Sequence, residues 1–288
     1  MQLRYKKIIS RALISIIILC LLTVYILLYT MGGSKATEVI KEASTRNIKL
    51  IEQSSVMSDD GELASICVGD KTKPKKILFI HGSPGDWSAW HKLIVNGRLL
   101  QEYTLYAYDR PGYGKTTVAA TPDLYIQAKA AYQVMKDNSD STTRWTVVGH
   151  SYGGAVVAKL LIDYPTKIEK AILVGPTLSP QLQRPKWYNY LVDFPLIEIT
   201  MPHDILSSNT EMMGLSTSLQ QNEAALASID IPITHIHGEK DVIVPFQTVA
   251  YLKKQKTEGV KYITKKEMNH FTPWTFPYLI VDELVKPE

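Results

Sequence analysis

The chain has 288 residues, 45 % of them hydrophobic, with 32 basic and 28 acidic side chains. Four of the basic residues lie in the first thirty-one positions and no acidic residue does, so the remainder carries 28 of each sign. Such a neutral body has no electrostatic footprint for nucleic acid or a strongly anionic polymer. The two cysteines, Cys20 and Cys67, fall on opposite sides of that boundary and exclude a disulfide-stapled scaffold.

In chain order, the first predicted element is a membrane span. Ala12 to Met31 is a twenty-residue run without a charged side chain, and as a helix it covers about 30 Å, the thickness of a bilayer's hydrocarbon core. Arg4, Lys6, Lys7 and Arg11 precede it, while Lys35, Lys41 and Arg46 follow mixed with Glu38 and Glu42. This bias predicts a cytoplasmic N-terminus with the rest of the chain on the outer side. A cleaved signal peptide, with Ser34-Lys35-Ala36 as its cleavage site and a secreted product, is the rival. It requires an apolar region longer than the usual ~7–15 residues. The expectation is therefore a single-pass signal-anchor over 1–31, a juxtamembrane connector over 32–47 and one domain over 48–288.

Within that domain, Ile48–Val56 and Glu62–Gly69 read as two strands joined by a turn at Ser58-Asp59-Asp60-Gly61. Strands ending at Ile80, Tyr108, Val148, Val174, His237 and Thr264 follow, with helical stretches near 123–136, 152–163, 246–254 and 276–285. The alternation predicts an α/β fold with a mostly parallel sheet flanked by helices. Residues 176–230 interrupt it with a segment too long for a simple crossover. Trp187, Tyr188 and Phe194 in that segment are expected to wall an apolar pocket.

The residue types that carry chemistry sit at strand ends. His81-Gly82-Ser83-Pro84-Gly85 follows one strand, Gly149-His150-Ser151-Tyr152-Gly153 joins a β-branched run to a packed helix, Asp241 follows the strand ending at His237, and His270 follows the last strand. Gly114-Lys115-Thr116 resembles the end of a phosphate loop, but Asp109 stands where such a loop requires glycine, and nucleotide binding is rejected. His235 and His237 alternate along a strand with no cysteine or carboxylate cluster at ligand spacing, so no metal is expected. No other cofactor is indicated.

From about residue 62 to its end the chain resembles the α/β-hydrolase family, whose nucleophile elbow has the pattern Gly-x-Ser-x-Gly and whose acid and base follow in the order Ser, Asp, His. The resemblance implies a Ser151–Asp241–His270 triad, an oxyanion hole from the backbone N–H groups of Ser83 and Tyr152, a bracing role for Asp109, and a helical lid over 176–230. It implies a serine hydrolase acting through an acyl-enzyme on a small molecule, here a carboxylic ester with an apolar part. A carbon–carbon bond hydrolase, a thioesterase, an aminopeptidase and a non-catalytic ligand-binding protein remain alternatives; Ser151 in place of Asp weighs against a dehalogenase or epoxide hydrolase. His81, His150 and His237 read as packed structural residues.

Overall fold

The computed structural model describes residues 34–57 and 60–286. The predicted span over 12–31 lies outside them, and among the described residues no helix is long and apolar enough to cross a membrane. The first described element is helix α1 (Ala36–Thr45), in the stretch read as a connector. Its Val39 and Ala43, four residues apart on one face, are buried against the domain core.

Eight strands form one sheet in the order β1-β2-β4-β3-β5-β6-β7-β8. They are β1 (Leu50–Val56), β2 (Glu62–Val68), β3 (Lys75–Ile80), β4 (Thr104–Tyr108), β5 (Arg144–His150), β6 (Ile168–Val174), β7 (Ile233–Gly238) and β8 (Val260–Lys265). The β1–β2 hairpin and the β2–β4 pair are antiparallel, and every other pair is parallel.

Burial on both sides explains the near-continuous apolar runs of the inner strands. Alternate residues divide between two cores: Leu78, Ile80, Tyr106, Val147 and Leu173 face one, and Ile77, Phe79, Leu105, Val148 and Ile172 face the other. Helices α2 (Leu124–Asp137), α3 (Tyr152–Asp163) and α5 (Gln247–Gln255) cover the first face, while α1, the short turns over 91–102 and α6 (Pro277–Val285) cover the second. The α2 start is set by Asp123, whose carboxylate accepts the Tyr125 N–H at 2.8 Å.

Between β6 and β7 the chain makes two short helices, Trp187–Val192 and Pro195–Glu198, then the long helix α4 (His203–Asn222) and a 3₁₀ segment over 223–228. Helix α4 crosses the loops that follow β4. It comes so close that a methyl group at Gly214 would lie 2.4 Å from Pro122 Cβ, and Ser218 and Ser207 donate to the carbonyls of Pro122 and Gly112 at 2.7 and 2.6 Å.

Candidate active site

The sharpest backbone feature is Ser151, with φ 54° and ψ −120° between β5 and α3. A side chain held at such angles is strained, and the turn persists because its neighbours are glycines. A Cβ at Gly149 would meet the Gly153 carbonyl oxygen at 2.3 Å, and one at Gly153 would meet the Ile80 oxygen at 2.2 Å. The elbow thus packs directly on the end of β3. Ser151 N–H donates to Val174 O at 3.0 Å, and its own carbonyl accepts from Thr177 N at 3.1 Å, which ties the turn to the end of β6.

Asp241 and His270 meet at the same corner. The His270 ring nitrogen Nδ1 lies 2.7 Å from Asp241 Oδ2, while the other oxygen, Oδ1, accepts the N–H groups of Ile243 and Val244 at 3.0 and 2.8 Å. One oxygen is thereby fixed by backbone, leaving the other aimed at the ring. A methyl built at Gly175, the residue after Val174, would stand 3.2 Å from Asp241 Oδ2 and 3.4 Å from His270 Nδ1. The imidazole and the elbow therefore converge at Val174–Gly175. Ser151, Asp241 and His270 are all buried, and Glu239, the nearest rival carboxylate in sequence, is exposed.

The loop after β3 forms another wall. A methyl at Gly82 would lie 3.1 Å from Ser151 Cβ, so Ser83 begins one residue from the elbow. Tyr152 is the first residue of α3, where the backbone N–H has no partner within the helix and the dipole favours an anion. Ser83 Oγ is 2.9 Å from both Tyr113 OH and Ser208 Oγ.

His81 accepts the Arg110 N–H at its Nε2 (3.0 Å) and donates from Nδ1 to Gly82 O at 2.7 Å. Burial, reinforced by the Arg110 charge, holds its pKa well below the ordinary histidine value, so the ring braces the loop in its neutral form. His150 donates from Nε2 to His270 O at 2.9 Å, and burial lowers its pKa to about 3. His237 donates to Val244 O at 3.0 Å, and its Nδ1 is 3.0 Å from His235 Nε2. The two rings on β7 thus bond each other. Among the described residues no group of three or more metal-ligand side chains gathers. Asp109 accepts from the N–H groups of Trp87 and Lys115 at 3.0 and 2.9 Å, as a loop brace does.

The part that sequence reading missed is a buried charge pair beneath the Gly82 loop. Arg110 Nη1 meets Glu211 Oε1, and its Nη2 is 3.2 Å from Glu211 Oε2; both side chains are fully buried. Arg110 also donates to the carbonyls of His81 and Gly82, each at 2.9 Å, and its guanidinium lies 4.6 Å from the Tyr152 ring centroid. Tyr113 OH and Gln127 Nε2 complete the shell of Glu211 at 2.7 and 3.0 Å. Burial alone would depress the Arg110 pKa, but the Glu211 charge overrides it and raises the pKa well above normal. Arg110 and Glu211 are 101 residues apart, and no local pattern links them.

Trp187, Tyr188 and Phe194, expected to wall a pocket, are 74, 47 and 56 % exposed. They lie on a six-residue helix and at the start of a four-residue one, with about half or more of each side chain facing solvent. Trp87 and Trp90 are buried in the core on the second face of the sheet.

Residues 75–223 match the sequence model of the alpha/beta hydrolase fold. The chain belongs to that family. Curated relatives include the dihydrolipoyllysine-residue acetyltransferase component of the acetoin cleaving system of Cupriavidus necator, 34 % identical over 100 residues, 35 % of this chain and 26 % of that protein. Lipase LipV of Mycobacterium tuberculosis is 32 % identical over 108 residues, 37 % of this chain and 39 % of the lipase. The matched stretch thus spans less than two fifths of either relative's length. Among solved structures, a putative aryl esterase from Burkholderia cenocepacia superposes with a TM-score of 0.66 at 20 % identity, covering 81 % of this chain and 96 % of that one.

Proposed function

We propose that this hydrolase is a membrane-anchored serine esterase whose substrate is a carboxylic ester with an apolar acyl or alcohol part. The observation that carries the reading is the 2.7 Å Asp241–His270 pair gathered at the corner that also fixes the Ser151 elbow. Ser151 Oγ attacks the carbonyl carbon while His270 accepts its proton through Nε2 and returns it to the leaving alcohol. Asp241 holds the Nδ1–H tautomer and stabilises the imidazolium. The oxyanion of the tetrahedral intermediate is held by the N–H groups of Ser83 and Tyr152. Water, deprotonated by the same histidine, then releases the acid from the acyl-enzyme. The names of the lipase and aryl esterase relatives agree with ester chemistry.

Replacing Ser151 by Ala tests the mechanism. A folded Ser151→Ala protein should turn over a good ester about 10⁴ to 10⁶-fold more slowly and should not be labelled by a fluorophosphonate. Wild-type-like turnover in that variant would sink the nucleophile assignment. Absence of labelling in the folded wild type would instead favour a ligand-binding protein built on the hydrolase fold.

A further inference from the structure

Six large apolar side chains of the insert are exposed. Trp187, Tyr188, Tyr190, Leu191 and Phe194, together with Ile199 at 80 % exposure, follow one another along the two short helices of the insert. The four aromatic rings alone expose on the order of 500 Å², the size of the largest apolar patch on a typical monomer, which often marks a contact site.

We propose that this surface contacts lipid, seating the domain on the outer leaflet so that it takes its ester from the bilayer; the substrate part rests on the serine-esterase reading above. The chemistry of the face comes first. Trp and Tyr carry an apolar ring with a polar tip and concentrate at the membrane–water boundary. The exposed charges around them, Arg184 and Lys186 against Asp193 and Glu198, balance in sign, which fits a zwitterionic surface rather than an anionic one.

The position of the chain end comes second. The apolar run ends at Met31, and the Lys35 backbone N–H is already bonded to Ser88 Oγ at 2.9 Å. Four residues reach at most about 14 Å, so if the run spans a bilayer, the domain sits directly on it at the Ser88 loop. The insert is fastened to that same loop: Ser83 Oγ bonds Ser208 Oγ at 2.9 Å, and the neighbouring Asn209 bonds Asn189 of the Trp187–Val192 helix at 2.9 Å. The start of the described chain and the helix that bears the aromatic rings are therefore both bonded to the segment that follows β3.

Tryptophan emission tests the contact without needing turnover. Of the described tryptophans, Trp87, Trp90 and Trp145 are buried and Trp274 is half-buried, so the signal lost on Trp187→Phe is that of Trp187. The full chain, carrying Ser151→Ala, is reconstituted in phosphatidylcholine vesicles with or without bromine on the upper acyl chain. Rings seated at the headgroup–acyl boundary should lose roughly half or more of the Trp187 emission to bromine. An unquenched Trp187 signal, or a chain that washes off the vesicles, overturns the proposal.

With Ser151 restored, a Trp187→Ala/Phe194→Ala double variant should lose about tenfold on a vesicle-embedded ester while cleaving a soluble acetate normally. Equal rates on both substrates overturn the lipid source of the substrate. Quenching with no hydrolysis of either ester by the wild type would leave the lipid contact standing and remove the esterase reading.

Discussion

At the residue scale the surroundings of Asp241, the proposed acid, were legible because its neighbours have one job. A β-strand ending in glycine, followed by Asp241 two residues from Ile243 and three from Val244, offers backbone N–H groups to one carboxylate oxygen, and Asp241 Oδ1 takes both. Asp241→Asn should therefore lower turnover by about 10⁴-fold, because an amide nitrogen facing His270 Nδ1 favours the wrong tautomer. Glu239→Gln, at an exposed position, should leave kcat within about twofold, as surface substitutions usually do. The reverse ranking in ester-hydrolysis assays would move the acid to Glu239. Arg110 and Glu211 were not legible for the opposite reason: each looks like an ordinary surface charge until the fold brings α4 over the β4 loop.

At the element scale, that pair explains how a helix from the insert reaches the proposed active site. Helix α4 contributes Glu211, which holds Arg110, and Arg110 holds the two carbonyls that precede Ser83. Glu211→Ala leaves a guanidinium buried without its counter-charge and should destabilise the fold by about 3–5 kcal/mol in urea titration. Replacing both partners, Arg110→Met with Glu211→Leu, removes the buried charge and should recover much of that loss. It does not restore the contacts to His81 and Gly82, so turnover should remain low with the fold intact. If the double variant recovered both stability and kcat, the pair would merely pack α4 against the core.

Element boundaries followed the sequence wherever local pattern decides them: α3 begins and ends as its apolar run does, and β6 ends at Val174. Helix α1 falls in the stretch read as a connector, although Val39 and Ala43 show helical spacing. The exposure of Trp187, Tyr188 and Phe194 is a matter of tertiary context. Aromatic residues in an insert record only that apolar surface is present, and the direction it faces depends on the partner helix, here α4.

At the scale of the whole molecule, the two cores on either side of one sheet trap histidines that must stay neutral. His81, His150, His235 and His237 are all buried with pKa values pushed down, chiefly by the loss of water around the imidazolium. A depressed folded pKa contributes stability that is present above the unfolded value, about 6.5, and is lost as pH falls. Asp109 opposes this: burial raises its carboxyl to about 6, so its contribution is full below the unfolded value near 4 and is lost as pH rises through 6. The two windows overlap between about pH 4 and 6, and each proton held differently by the two states is worth about 1.4 kcal/mol per pH unit. Four imidazoles outweigh the two carboxyls raised by burial, Asp109 and Asp204, so the urea midpoint should be lower at pH 5.5 than at pH 7.5. Asp109→Asn should widen that difference, because it removes a group that favours the acidic side. A midpoint that is unchanged or higher at pH 5.5 would mean that these histidines already accept protons in the folded state, and that the neutral braces around His270 and the Gly82 loop do not hold as drawn.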